Sequence, residues 1–389
     1  MIVRFALFVC VVLAIVIAGH VILYHALINF LGISNVFTRN VLFAVLICLS
    51  LSFVIASLVV HWFDTPFTRA IYDAAGFWLG LMLNLLLASL FILVVVTILG
   101  LIGWKFNLRD FSIIIFVLTL VYSGFSVWTA ANPKIKNITV SAKNLPAYWT
   151  DKTIVQLSDV HLGSVHRPDF LSRVVKKVNS LNPELVVITG DLFDGMDGDL
   201  DSFIEPLNKI RSAQGVYFVT GNHEAYLGVE DIFKFLEKTQ IKVLHDDIVD
   251  IDGLQLVGIN YPEFEGQKDI REIIRPGQNF FPEKPTILLY HTPTNVVSDK
   301  AHAKFNTYWY PDVDFSYAKE IGIDLQLSGH VHKGQLFPFT WITKLIYRGY
   351  DYGLKIDGGF SIYVSSGTGT WGPPMRTGNS PEIVAVRLK

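Results

Sequence analysis

Cysteine is nearly absent from this 389-residue chain: Cys10 and Cys48 are the only two, and both fall in apolar runs. A disulfide scaffold is therefore excluded, and the polar part of the chain has no thiolate to offer a metal. Charge is scarce as well, at 17% of residues against 51% hydrophobic, with a mean hydropathy of +0.42. An ordinary soluble protein of this length carries more charge. The scarcity is local: residues 1–132 hold eight charged side chains and the other 257 hold 58, so two different solvents are implied. A net charge of −2 and a pI near 6.6 promise no basic surface, which removes nucleic acid as a partner. There is no internal repeat and no low-complexity tract.

Long apolar runs take the place of the missing charge, from Phe5 to Tyr24, Val41 to Phe63, Phe77 to Trp104 and Phe111 to Ala131. Each reaches the roughly 20 residues a helix needs to cross a bilayer, so a bundle of four transmembrane helices is expected over 1–132. The first run is read as a retained anchor, because it is long for a signal peptide and Ala14 to Gly19 lacks a cleavage pattern. Four spans put Arg4, Arg69, Lys134, Lys136 and Lys143 on the side of the polar domain, against Arg39, Lys105 and Arg109 opposite. This bias predicts a multi-pass protein of the inner (cytoplasmic) membrane with its polar domain in the cytoplasm. His20 and Asn84, polar residues inside the spans, are read either as interhelical hydrogen-bonding groups or as positions near the headgroups.

Asn132-Pro133 ends the last run, 133–150 reads as a linker, and 151–389 reads as a second domain. Strand-length apolar runs recur there, alternating early with helix-like stretches such as Pro168 to Leu181 and Val229 to Lys238. The pattern predicts an α/β domain of packed sheets with outer helices.

The informative residues stand immediately after the strand-like runs. Leu157 runs into Ser-Asp159-Val-His161, Thr189 into Gly-Asp191-Leu-Phe-Asp194, and Thr220 into Gly-Asn222-His223-Glu224. Tyr290 runs into His291, and Leu327 into Ser-Gly-His330-Val-His332. Taken alone, the D-x-H, GD and GN pieces read more readily as caps or turns, and His291 as a core histidine. Taken together, five strand ends each deliver a metal-binding side chain, and ligands collect outside the carboxyl ends of strands in α/β sheets. Carboxylate, amide and imidazole donors without thiolate suit manganese, iron or zinc, and they could describe two ions bridged by one carboxylate.

The ordered set D-x-H, GD-x-x-D, GNHE, H and GH-x-H resembles the calcineurin-like metallophosphoesterase superfamily. Ser328 to Gln335, Val364 to Thr370 and Pro373 to Ile383 are similar to its YkuE-type subgroup, often attached to membrane segments. The resemblance implies a two-sheet β sandwich flanked by helices, with two divalent ions, manganese foremost. It implies one ion on Asp159, His161, Asp191 and His332 and another on Asp191, Asn222, His291 and His330. His223 would be the catalytic imidazole, with the Asp194 carboxylate orienting it, and water would attack phosphorus in line.

Two departures bear on the substrate. Gly195 stands where protein phosphatases of the superfamily carry a phosphate-gripping arginine, which argues against a phosphoprotein. His223 stands where the soluble UDP-diacylglucosamine pyrophosphatases carry arginine, which leaves open a membrane-attached analogue. The expected substrate is a phosphate or pyrophosphate bond of a lipid or lipid-linked molecule, such as UDP-diacylglucosamine or a polyprenyl or phospholipid phosphate. Four spans are more anchoring than a soluble substrate requires, and aromatic stretches at Phe305 to Tyr317 and Phe337 to Tyr352 could flank a lipid entry path. The former is read either as a lid or as core. The competing readings are a tethered phosphodiesterase for a soluble nucleotide and a metal-binding sensor without turnover.

Overall fold

The computed structural model describes residues 2–195, 200–262, 269–296 and 310–389. It divides into two units, one of Met1–Trp128 with Gly372–Met375, the other of Thr129–Trp371 with Arg376–Lys389.

The first unit is built on α1 (Ile2–Phe30), α2 (Val36–Trp62), α3 (Pro66–Leu101) and α4 (Leu108–Ala130). All four are long and apolar enough to cross a membrane. The starts of α2 and α3 are set by short polar caps. The Asn35 side chain accepts from the Thr38 amide at 3.0 Å, and Thr65 and Thr68 form a reciprocal capping box ahead of Pro66. The polar residues inside the spans pair across helices as expected. Trp78 Nε1 donates to His20 Nε2 (2.9 Å), and Asn84 Nδ2 donates to Ser123 Oγ (2.9 Å).

The second unit contains two six-stranded sheets. Its strands are β1 (Lys134–Val140), β2 (Thr153–Leu157), β3 (Leu185–Thr189), β4 (Val216–Val219), β5 (Ile241–Val243) and β6 (Asp247–Ile251). They continue with β7 (Leu254–Ile259), β8 (Thr286–Tyr290), β9 (Leu325–Ser328), β10 (Gly353–Asp357), β11 (Phe360–Val364) and β12 (Glu382–Leu388). The orders are β1-β12-β2-β3-β4-β5 and β10-β11-β9-β8-β7-β6. Helices α5 (Pro168–Ser180), α6 (Ile204–Asn208), α7 (Asn222–Leu227), α8 (Val229–Leu236), α9 (Ile270–Ile273), α10 (Ser316–Ile321) and α11 (Phe339–Ile346) complete the unit.

Strand alternation explains the layering. In β3, Leu185 and Val187 face a shared core with Leu254, Leu256, Ile287 and Leu325 of the other sheet, while Val186 and Ile188 pack under Leu171, Val174 and Val178 of α5. A third cluster seats α9 and α10 on the outer face of the second sheet through Ile270, Ala318 and Ile321. Strands buried on both faces carry no polar alternation, which is why β3 and β8 read as continuous apolar runs.

Two features differ from the sequence reading. The segment 133–150, expected to be a linker, contains β1, which pairs in parallel with β12 as the edge strand of the first sheet. Its pattern is masked because an edge strand exposes Lys134, Lys136 and Asn137. Of the aromatic stretch Phe305 to Tyr317, Phe315 is core, stacked on Phe360 and set against Tyr350. Tyr317 is partly buried against the same cluster. Phe305, Tyr308 and Trp309 lie outside the described residues, and Tyr310 is exposed (74%), so the described part of the stretch is divided between core and surface.

Candidate metal centre

Strands β2, β3 and β4 run in parallel, as do β7, β8 and β9, so the loops at their carboxyl ends can converge. Main-chain bonds lace them together: the Asp159 amide donates to Gly190 O, and the His161 amide to Asp191 O, both at 3.1 Å. The ligands are aimed by unusual backbone. Asp159, His161, Asp191, His330 and His332 all adopt positive φ, between 49° and 71°. Left-handed conformations cost L-residues on the order of 1 kcal/mol each and persist where the surroundings enforce them. Gly190 shows how tight the packing is, since a Cβ there would lie 2.6 Å from His291 Nδ1.

All seven residues expected as ligands come together. Asp159, His161 and His332 form one cluster and Asp191, His291 and His330 another, with donor atoms within 4.8 Å of one another in each. His161 Nε2 lies 2.9 Å from His332 Nε2, and His332 Nε2 lies 3.4 Å from Asp159 Oδ1. In the second cluster His291 Nε2 is 3.2 Å from Asp191 Oδ2, while Asn222 Oδ1 is 3.2 Å from His291 Nε2 and 2.9 Å from His330 Nδ1. Asp191 Oδ2 is 3.9 Å from His161 Nε2 as well, so this carboxylate stands between the two groups.

The electrostatics fit cations. Asp159 and Asp191 are both buried, and the burial of two carboxylates in one site calls for positive charge. Burial pushes the Asp159 carboxyl up to about 6. For Asp191 burial acts upward too, but the facing His291 and His223 outweigh it and hold the group well below the usual range. His291 is raised to about 9, since Asp191 overcomes its desolvation. Burial drives His161 and His332 well below the ordinary imidazole value and lowers His330 to about 3. The neutral imidazoles of His161, His330 and His332, beside carboxylate and amide oxygens, are donors that suit a divalent transition-metal site.

His223 lies at this centre without belonging to either of the two clusters above, its Nε2 4.0 Å from Asp191 Oδ2. It also groups with His161 and Asp191 as a third candidate cation cluster. The orienting contact expected from the Asp194 carboxylate is made differently: His223 Nδ1 donates to the Asp194 main-chain carbonyl at 2.6 Å. The Asp194 carboxylate lies against Gly163 instead. Gly195 allows this approach, because at φ 80° a Cβ would come within 2.9 Å of His223 Nδ1.

Three supporting residues were not singled out from sequence. The buried Glu224 carboxylate accepts from the amides of Asp191 (2.9 Å), Gly221 (2.7 Å) and Phe193 (3.1 Å), tying the second and third ligand loops together. Burial, then the Asp191 charge, raises it to about 7. Arg376, fully buried, reaches the His332 carbonyl (3.2 Å) and ring Nδ1 (3.1 Å), and Asn379 bonds both Arg376 and the same carbonyl. An arginine in the Pro- and Gly-rich stretch from Gly372 to Gly378 was the available signal for this brace.

Paired sheets that bring buried carboxylates, an amide and imidazoles to one rim define a metal-dependent phosphohydrolase. A profile of the calcineurin-like phosphoesterase family matches residues 152–334. The chain is 36% identical over 291 residues to an "Uncharacterized metallophosphoesterase" of Helicobacter pylori strain J99, covering 72% of this chain and 71% of that protein. It is 32% identical to the "Transmembrane protein with metallophosphoesterase domain" of Danio rerio, over 72% of this chain and 62% of that one. YkuE of Bacillus subtilis, named as a metallophosphoesterase, is 27% identical over 64% of this chain and 84% of its own length. The chain belongs to the calcineurin-like metallophosphoesterase family, and it is a membrane protein.

Proposed function

We propose that this enzyme hydrolyses a phosphate or pyrophosphate bond in a lipid or lipid-linked substrate, at the cytoplasmic face of the inner membrane, with two manganese ions. One ion is assigned to Asp159, His161, Asp191 and His332, the other to Asp191, Asn222, His291 and His330. When bound, such ions lower the pKa of water and take up charge on the phosphoryl oxygens. The chain's own part is to fix these donors and to place His223. Its Nδ1–H is committed to the Asp194 carbonyl, so Nε2 is the atom left facing the reaction, and a second proton carried there, in the imidazolium form, is the one given to the leaving oxygen or used to steady the phosphoryl charge.

The observation that carries the lipid assignment is the apolar rim beside His223. Trp371 (59% exposed) and Tyr226 (49% exposed) have ring centroids 6.0 and 5.3 Å from the His223 ring. Gln335 clamps Trp371 through both of its main-chain polar groups, at 2.9 and 3.0 Å, and leads directly into α11. No residue of α11 is buried, and Trp341 (64% exposed) and Leu345 (79% exposed) lie one helical turn apart on its surface. Burying such side chains in an acyl boundary is worth about 1.5 to 3 kcal/mol each. A soluble substrate would gain nothing from that surface.

The test compares two substrates in the full-length enzyme. Trp341→Ser with Leu345→Ser should raise KM or lower the rate on a long-chain lipid phosphate in bilayers, and change little on a short water-soluble phosphodiester. Equal effects on both would favour a tethered phosphodiesterase for soluble nucleotides. No turnover of any phosphate ester by the metal-loaded protein would leave the sensor reading.

A further inference from the structure

A lysine-lined cavity lies at the start of β1 and β12. A cavity of about 260 Å³ is lined there by Lys134, Lys136 and Lys333, with Ser366, Asn379 and Ser380 offering neutral polar groups. Strand alternation puts Lys134 and Lys136 on one side of the edge strand. Neither has an ion-pair partner among the described residues. The Lys333 ammonium stands 4.1 Å from the centroid of the Tyr352 ring. The single carboxylate in the wall, Glu382, is already engaged by the hydroxyls of Tyr363 (2.9 Å) and Tyr352 (3.2 Å) and the Ser366 amide (3.1 Å). Three ammonium groups against one carboxylate make a concave, positive site suited to an oxyanion.

Its position in the sheet is informative. β12 runs antiparallel to β2 and parallel to β1, so the beginnings of β1 and β12 lie at the rim where β2 delivers Asp159 and His161. The wall residue Asn379 donates to the main-chain carbonyls of both His332 (3.3 Å) and Lys333 (3.2 Å), and Lys333 directly follows a residue of the metal centre. Lys134 is also four residues past Ala130, the end of α4, which is at most roughly 14 Å of extended chain. Lysines this close to the end of a membrane helix meet lipid headgroups before they meet solutes of the bulk phase.

We propose that this cavity binds the phosphate oxyanion of an anionic lipid headgroup, at a site separate from the metal centre. The site stands whether or not the hydrolysed substrate is itself a lipid. The full-length protein, purified in neutral detergent and exposed to mixed micelles of phosphatidylcholine and phosphatidylglycerol, is examined by native mass spectrometry for retained lipid. Phosphatidylglycerol should be retained in preference. Lys134→Gln with Lys136→Gln should weaken that retention roughly tenfold, with the unfolding temperature checked in parallel and the single Lys136→Gln variant showing part of the loss. Lys209→Gln with Lys238→Gln removes the same charge elsewhere and should retain the lipid.

Unchanged retention in the pocket variants, or an equal loss in the control pair, would overturn the proposal. Inorganic phosphate is the other source of the same oxyanion. Saturation of the site by inorganic phosphate with no preference for phosphatidylglycerol would overturn the headgroup assignment. Hydrolysis of bis(p-nitrophenyl) phosphate by the unaltered protein, measured separately, decides the phosphoesterase reading independently of the lipid result.

Discussion

The main-chain carbonyl of Asp194 accepts the Nδ1–H of His223 at 2.6 Å. A carbonyl can only accept, so the bond keeps a proton on Nδ1 and leaves Nε2 facing Asp191. The backbone supplies what other arrangements draw from a side chain, and a substitution can separate the two. Asp194→Ala should keep activity within about tenfold of the native rate, whereas His223→Ala should lose on the order of 10² to 10⁴ while retaining its metal. Steady-state kinetics with metal analysis checks both. An equal loss in Asp194→Ala would return the role to the carboxylate, and an apo His223→Ala protein would make that residue a ligand.

Asp191→Asn should abolish activity and lower metal content at both positions, because a neutral amide cannot bridge two cations as a carboxylate does. Full occupancy and near-normal turnover in this variant would refute the assigned bridge.

Glu224→Gln tests the brace behind that carboxylate. Three amides converge on the two carboxylate oxygens, and the amide of glutamine offers one oxygen and one NH2, so at least one N–H loses its acceptor. The expected cost is about 1 to 3 kcal/mol of stability, together with weaker metal retention. Chemical denaturation and metal analysis would read both, and unchanged values would show the loop to be held by other contacts.

Orientation is tested with a single cysteine at the exposed Ser202, in a background with Cys10 and Cys48 replaced by serine. An impermeant thiol reagent should miss it in intact cells and label it after lysis. Labelling before lysis would reverse the topology and move the substrates to the outer leaflet.

The parts of this protein that were legible in sequence are those written in side chains. Apolar length announced the four helices, and the placement of Asp159, Asp191, Asn222, His291 and His330 after apolar runs announced a convergent metal centre. The parts that were not legible are written in backbone or in long-range pairing. A carbonyl such as that of Asp194 has no sequence signature, and its neighbouring carboxylate drew the attention. Glu224 reads as an ordinary helix-start acid until the amides it accepts from are placed around it. Arg376 reaches His332 across a separation of 44 residues, which no local pattern records. β1 escaped notice because an edge strand with exposed lysines has the composition of a connector.

The order of the first sheet also constrains how the protein is made. β12 lies between β1 and β2, yet it begins 225 residues after β2 ends (382 − 157). During synthesis both earlier strands therefore wait with open edges after the apolar helices have emerged, and such edges are templates for wrong pairing. Closure of the sheet, and with it the Glu382 end of the lysine cavity, is a late event in the life of the nascent chain. The cell must shield an inserted protein whose hydrolytic half is still unfinished.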